Sequence, residues 1–497
     1  MSTLPWQDLP AIMILSTLAA AFISPLVSFF KRELGGYLCL LVSFLNFVFS
    51  IALIGIVQRE GPVHVAMGGW EPPWGIEILV DEMALLMLLV ITGFCFIISL
   101  YCQGTLEKEV TRDRTSWYYT GLLLVMAGMM GMVVTNDLFN LYVMLEIVGI
   151  TSCALVIAGG TKEATEASLK YILLATIGSG FILFAIGFLY MITGNLNFTY
   201  VAQELVIVKE SYPFLIWATT SFFVVGFGLK AALFPLHVWL PDAHSAAPSP
   251  SSAILSSLVV KVYVVALWKL LYQIYGVSFL HETMVLGFLL VLSSLAILVG
   301  SFFAFTQLDI KRRLAYSTVV QIGYIFLGFS IGPMWGTLAA LFHIVVHAFM
   351  KTCLFMTAGA IYQQTGLKKV TLMHNIGFTM PITTGAFTVA SLSMVGIPFM
   401  GGFITKYGLA LGSLETGRGI LVAMVVLSGL LNAAYYFPIV RVAFFGEGEK
   451  EKLRLDDVPI TTMVSVGILA LGIIYLGVFP GGVIEFIRSA AAAMISP

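Results

Sequence analysis

The sequence predicts an all-α polytopic membrane protein of about fourteen transmembrane helices, built as two inverted five-helix repeats, with helices 7 and 12 broken. Three observations point there. The chain is 59% hydrophobic and only 10% charged, with a mean hydropathy of +0.99, whereas soluble domains carry about 25% charged residues. Apolar runs of about 20 residues, the length that crosses a hydrocarbon core of about 30 Å, recur along the whole chain. Basic residues fall unequally on alternate loops, which fixes an orientation.

Taken in order, runs 9–30, 34–57 and 78–102 give three N-terminal helices within 1–114. Runs 115–134, 138–159, 166–192, 213–240 and 251–275 give helices 4–8, the first repeat at 115–275. Runs 283–305, 313–332, 336–362, 377–411 and 418–443 give helices 9–13, the second repeat at 283–443. Run 460–484 is helix 14, within 460–497. Helix 7 contains Pro235, which removes a helix hydrogen bond. Helix 12 is too long for one simple span and holds Gly396, Pro398, Gly401 and Gly402. Two broken helices five spans apart suggest an internal duplication, and an odd-numbered unit must be inverted relative to the next. The two breaks do not match perfectly: Lys230 precedes its break, while Lys406 follows its own.

With the N-terminus outside, the inside loops hold Lys31, Arg32, Lys108, Arg112, Arg114, Lys162, Lys311, Arg312, Arg313, Lys368, Lys369, Arg441, Lys450, Lys452 and Arg454. The outside holds Arg59, Lys209, Arg418 and Arg488. Fifteen against four predicts a multi-pass protein of the cytoplasmic membrane with both termini outside. The first run is flanked by Asp8 rather than by a basic segment and reads as a mature span, not a cleaved signal peptide. The longest polar segments are 58–77, 103–114, 194–212 and 444–458, the last a mixed-sign, solvated inside loop.

Composition also excludes function classes. A net charge of −1 says nothing further about partners, and no nucleic acid is expected among them. Cys39, Cys95, Cys102, Cys153 and Cys353 lie in or beside apolar runs without ligand spacing, so they are read as packing residues, with no disulfide and no metal site. There is no phosphate loop, dinucleotide fingerprint or CxxC motif. The chain is therefore expected to hold no cofactor and no redox or hydrolytic site, and to draw its energy from an ion gradient or a partner.

The remaining six basic residues are lysines inside apolar runs: Lys170, Lys230, Lys261, Lys269, Lys351 and Lys406. A charge at mid-bilayer costs roughly 2.5–3.5 kcal/mol on insertion scales, so such residues face a bundle interior and mark ion pathways. Glu146 lies near mid-depth in its span, where a lysine partner would make a switchable pair. Lys230 precedes Pro235, and freed carbonyls inside a membrane are tolerated where they line a wet cavity. Lys261 is at mid-span. Lys269 is near a span end and reads as snorkelling to the surface, while Lys170 either snorkels or pairs with Glu146. His343, His347 and Lys351 at i, i+4 and i+8 form one titratable stripe about 6 Å apart per step. Lys406 follows the second break. Asp137 reads as a helix cap or relay group, and His237 as a core residue or a relay. Asp242 and His244 fall in a Pro-rich loop at the inner surface, where a satisfied turn competes with a role in proton entry.

The stretches NDLFNLYVMLEIVGITS, ASLKYILLATIGSG, GLKAALFPLHVWLPDAHSAAPSPSSAILSSLVVK, LDIKRRLAYSTVVQIGY, LFHIVVHAFMKTCLF and GIPFMGGFITK occur in this order and cover most of the chain. Together they resemble the proton-pumping antiporter-like subunits of respiratory complex I, Mrp cation/proton antiporters and membrane-bound energy-converting hydrogenases. The resemblance implies fourteen helices, two inverted repeats and a central charged axis through Glu146, Lys230, Lys261, His343, His347 and Lys406. Lys406 is similar to the D-type component of Mrp antiporters and the N-type component of complex I, where the M-type component has a glutamate. The loop PLHVWLPDAHSAAPSP instead looks like the M-type component and the archaeal hydrogenase-type subunits. The implied partners are other membrane subunits of an antiporter, hydrogenase or complex I-like assembly, the lipid bilayer, and H⁺, with Na⁺ exchanged only through the complex. A complex I pump of the M or N type is the alternative branch. A self-sufficient transporter for an organic solute is the alternative class, and the scarcity of intramembrane Asn, Gln and Arg speaks against it. A purely structural subunit leaves the cost of the buried charges unexplained.

Overall fold

The computed structural model describes residues 6–446 and 458–495. Among these, thirteen helices are long and apolar enough to cross a membrane. The chain opens with α1 (Leu9–Phe30), α2 (Glu33–Glu60), α3 (Glu82–Glu109), α4 (Thr115–Val134), α5 (Leu138–Ile157) and α6 (Lys162–Thr193). The short α7 (Phe198–Val208) follows, an element the sequence pattern does not announce, and then α8 (Pro213–Lys230). After a break comes α9 (Leu240–Ala246). One long helix then runs through α10 (Ser249–Ile254), α11 (Val260–Leu270) and α12 (Gly276–Glu282), joined by π-helical turns at Leu255–Val259 and Leu271–Tyr275. The second half holds α13 (Val285–Thr306), α14 (Ile310–Ile331), α15 (Pro333–Thr365), α16 (Ile376–Thr379), α17 (Pro381–Val395), α18 (Gly401–Glu415) and α19 (Gly419–Phe445). The chain closes with α20 (Ile460–Val478) and α21 (Gly481–Ile495).

Neither α17 nor α18, at 15 residues each, spans a bilayer alone. Together they make one crossing. The loop before α17 is tied to the start of α14 by the Asp309–Lys369 bridge. At its far end, α18 packs Gly412 against Gly336 at the start of α15. The run expected at 460–484 is instead two helices, since α20 stops at Val478 and α21 turns to pack on α3 and α15. The expected inside loop at 444–458, with Lys450, Lys452 and Arg454, falls almost wholly outside the described residues.

Two ends are distinguished by their cross-links. At one, Glu109 of α3 meets Lys311 of α14 at 3.5 Å and accepts from Gln363 of α15; this is the basic end. At the other, part of the polar segment 58–77 forms an antiparallel hairpin, β1 (Val63–Ala66) with β2 (Glu77–Val80) in register Val63↔Val80. Here Ile78 bridges Thr135 and Asp137 bridges Asn197. Buried helices such as α10–α12, α14 and α15 occupy the centre, while α1, α2, α6, α13, α19 and α20 show apolar faces outward, as a bilayer requires.

Candidate functional site

The site is a line of polar side chains through the centre of the bundle. It begins where α8 ends. Lys230 is fully buried, and its Nζ lies 3.3 Å from Oε1 of Glu146, whose side chain keeps 29% exposure. Ser179 of α6 also donates to Glu146. Gly149, one helical turn beyond Glu146, leaves room for the ammonium: a Cβ there would meet Nζ at 3.0 Å and the Tyr263 hydroxyl at 3.8 Å. Beyond Lys230 the chain leaves helical geometry, with Ala232 at φ 55. Trp239 donates to the freed carbonyl of Leu229 at 2.8 Å and stacks on Tyr171 at 4.0 Å.

The second station is Lys261. It donates to the Ser256 carbonyl, which lies in the first π-helical turn. A π-bulge releases a carbonyl from the regular ladder, and here that carbonyl holds a buried amine. This turn packs on α15, which brings Lys261 within electrostatic reach of His343, His347 and Lys351. The imidazoles of His343 and His347 are stacked, with centroids 5.3 Å apart and planes 5° from parallel. His347 has no hydrogen-bond partner at either nitrogen. His343 Nδ1 lies 3.3 Å from Thr405 Oγ1 on α18. Lys351 turns towards α14, donating to the Leu314 carbonyl at 2.6 Å and to Ser317.

The last station is Lys406. Its Nζ donates to the carbonyls of Val395 at 2.5 Å and Met394 at 3.2 Å. These end α17, where the helix dipole concentrates negative charge. Thus both breaks leave carbonyls in the membrane interior, and in the second they hold the lysine directly.

Of the two readings left open for Lys170 the structure takes the surface one, and three other sequence expectations change. Lys170 does not pair with Glu146. It reaches to the basic end, where its Nζ lies 2.8 Å from Asp242, because it sits near the start of α6. Asp242 is not in an irregular loop but in α9, and Arg312 clasps its other oxygen at 3.1 Å. His244, two residues on, is completely buried and has no partner at either nitrogen, so it is no satisfied turn. It faces the central cluster, within electrostatic reach of Lys261 and Lys351. Lys269 does not snorkel. It is buried and donates to the Thr135 carbonyl at 2.9 Å, at the end of α4. The long stem that lets a lysine reach water equally lets it reach the free carbonyls of a neighbouring helix.

Asp137 caps α5 by accepting from the Asn140 amide at 2.7 Å. His237 lies in the first break, stacked on Phe234 with its Nδ1 unpartnered. At the basic end a cavity of about 600 Å³ opens between the halves, lined by Glu109, Lys170, Asp242, Lys311, Arg312 and Lys368. The search for charges overlooks the neutral polar residues around the axis. Tyr324 lies beneath Lys406 at 5.6 Å and edge-on to His343. Asn432 donates to the Met394 carbonyl at 2.9 Å, and Tyr436 contacts Ser317 at 2.9 Å. Asn432, Tyr435 and Tyr436, clustered in one otherwise apolar run, were the available signal.

Residues 135–432 match the family described as NADH:quinone oxidoreductase/Mrp antiporter, TM. NADH-quinone oxidoreductase subunit N of Desulforudis audaxviator (strain MP104C) is 37% identical over 444 residues, 86% of this chain and 87% of that protein. A protein named as antiporter subunit mnhD2, from Staphylococcus haemolyticus (strain JCSC1435), is 30% identical over 450 residues, covering 90% and 88%. A chain of the membrane-bound sulfane sulfur reductase, an archaeal respiratory membrane complex, superimposes with a TM-score of 0.91 at 30% identity over 98% of both chains. A chain of the Mrp complex from Dietzia sp. DQ12-45-1b has the same fold, with a TM-score of 0.89 at 22% identity, covering 100% of this chain and 98% of that one. The protein is thus an integral, multi-pass antiporter-like subunit and belongs to the NADH:quinone oxidoreductase/Mrp antiporter membrane-subunit family.

Proposed function

We propose that this chain translocates protons across the cytoplasmic membrane as one subunit of a larger assembly, along Glu146, Lys230, Lys261, the His343–His347–Lys351 stripe and Lys406. The observation that carries the proposal is the imbalance of charge along this line. Among the described residues Glu146 is the one carboxylate at mid-span, against four buried or half-buried amines and three buried imidazoles counting His244. Two positive charges at the 5.3 Å separation of the histidine rings repel by about 3 kcal/mol at an effective dielectric of about 20. A proton arriving at one station therefore displaces the next, and motion is coupled along the row. His244, unpartnered beside the basic-end cavity, suits entry towards Lys261, and Lys406 suits exit.

The two breaks and the repeated lysine placement support two inverted units at 115–275 and 283–443, with both termini outside. Relatives in NADH-quinone oxidoreductase, in antiporters and in an archaeal respiratory complex support other membrane subunits as partners, with any redox cofactor held outside this chain. A hydrogenase-type or Mrp-type assembly is the first reading. The 37% identity to a subunit N favours a complex I-type pump as the second. The isolated titratable groups do not suit an organic solute.

The test is the purified assembly in vesicles with a pH-sensitive dye. Lys230→Ala and Lys261→Ala should each abolish proton uptake while the assembly still forms. Normal uptake in both variants would make the axis structural and overturn the proposal.

A further inference from the structure

A second polar feature lies away from the axis, on the outward face of α19. A groove of about 780 Å³ runs along this helix, lined by Leu430, Ala433, Ala434, Phe437, Arg441 and His374 among others. Its floor is open because Ala433 and Ala434 are small. Pro438 inside the helix leaves the Ala434 carbonyl without its ladder donor. Exposed apolar side chains flank it, with Leu430 at 66% and Phe445 at 80%. From Leu430 to Arg441 is eleven residues, about 16 Å along a helix, which is about half of a hydrocarbon core of about 30 Å. The groove thus spans one leaflet.

Its end at the membrane surface is basic. Arg441 is exposed and has no ion-pair or hydrogen-bond partner among the described residues. The imidazole of His374 stands beside it over Gly446, where a Cβ would approach Nδ1 to 2.5 Å. Glycine there keeps the pocket mouth open. An exposed guanidinium without a partner among the described residues, at the mouth of an apolar slot one leaflet deep, matches a phosphate head on an acyl chain, and basic pockets of this kind take anionic lipid.

We propose that this groove is a binding site for an anionic phospholipid of the leaflet at the basic end. Arg441 and His374 hold the phosphate, and one acyl chain lies over Ala433 and Ala434. The site is independent of the proton axis.

The experiment is native mass spectrometry of the whole assembly, extracted in mild detergent and exchanged into nanodiscs of equal phosphatidylglycerol and phosphatidylcholine. The wild type should retain phosphatidylglycerol in preference. Arg441→Gln should lower that preference about fivefold, the share of one basic side chain at a membrane surface. Ala434→Trp should expel the bound lipid of either kind by filling the slot. Equal retention of the two lipids by the wild type would overturn the proposal. So would a neighbouring subunit crosslinking to a photoreactive residue at position 434, since the groove would then be covered by protein.

Discussion

Glu146 and Lys230 form the one ion pair on the axis, and its strength can be bracketed from their 3.3 Å separation. Unit charges at that distance attract by about 5 kcal/mol at an effective dielectric of about 20, and by about 1.3 kcal/mol in water. Lys230 is buried but Glu146 is 29% exposed, so the coupling should fall between these limits, near 2–3 kcal/mol. Removing either partner leaves the other without its counter-charge, and the second removal then costs little. A double-mutant cycle with Glu146→Gln, Lys230→Gln and the double variant, read by thermal unfolding of the purified assembly, should show that coupling. Initial rates of proton uptake in vesicles provide the functional arm. Glu146→Asp should keep partial uptake, since the carboxylate retreats by one methylene and Ser179 remains as a donor. Single effects that add to within about 0.5 kcal/mol, with both single variants pumping normally, would refute an energetic pair.

Glu77 links hairpin and bundle through Asn136 at 2.8 Å, Asn197 at 2.7 Å and His64 at 2.7 Å. Burial alone would raise its pKa, but these hydrogen bonds outweigh it and hold the carboxyl below its ordinary 4.5. A carboxyl depressed in the folded state stabilises above its unfolded pKa, and that stability is lost as pH falls through the folded value. The unfolding temperature should therefore fall on acidification below about pH 4.5, and Glu77→Gln should flatten that limb while being less stable at pH 7. At the second break, a Cβ on Gly402 would fall 1.9 Å from the Ser393 carbonyl oxygen. Gly402→Ala should thus cost about 3 kcal/mol or prevent assembly, whereas Gly467→Ala, with open space around it, should stay within about 1 kcal/mol of wild type; equal stability of the two would refute the steric argument. At Lys406, alanine offers no proton site and should stop uptake, while Lys406→Glu, able as a neutral acid to donate to one of the carbonyls of Met394 and Val395, should keep part of it. Full uptake in the alanine variant would remove Lys406 from the path.

The membrane class, the order and near-limits of most spans, and the proline and glycine residues that lie just beyond the ends of α8 and α17 were legible in the chain before folding. These follow from one-dimensional signals. Hydrocarbon thickness fixes the length of an apolar run, and proline or glycine interrupts a helix wherever it stands. The i, i+4, i+8 spacing alone put His343, His347 and Lys351 on one face. Which charge meets which partner is a property of helix packing, and it emerged only with the folded bundle. Lys170 and Lys269 each have a stem long enough to reach water, a carboxylate or a carbonyl, and local pattern does not select among them. The neighbours selected Asp242 for one and the end of α4 for the other. His244 looked like a loop residue because the proline-rich segment around it resembles a turn, yet α9 carries it into the buried centre. The hairpin and α7 stayed hidden for a related reason. Each is short and gains its stability from the bundle end it covers, so local pattern alone does not declare it.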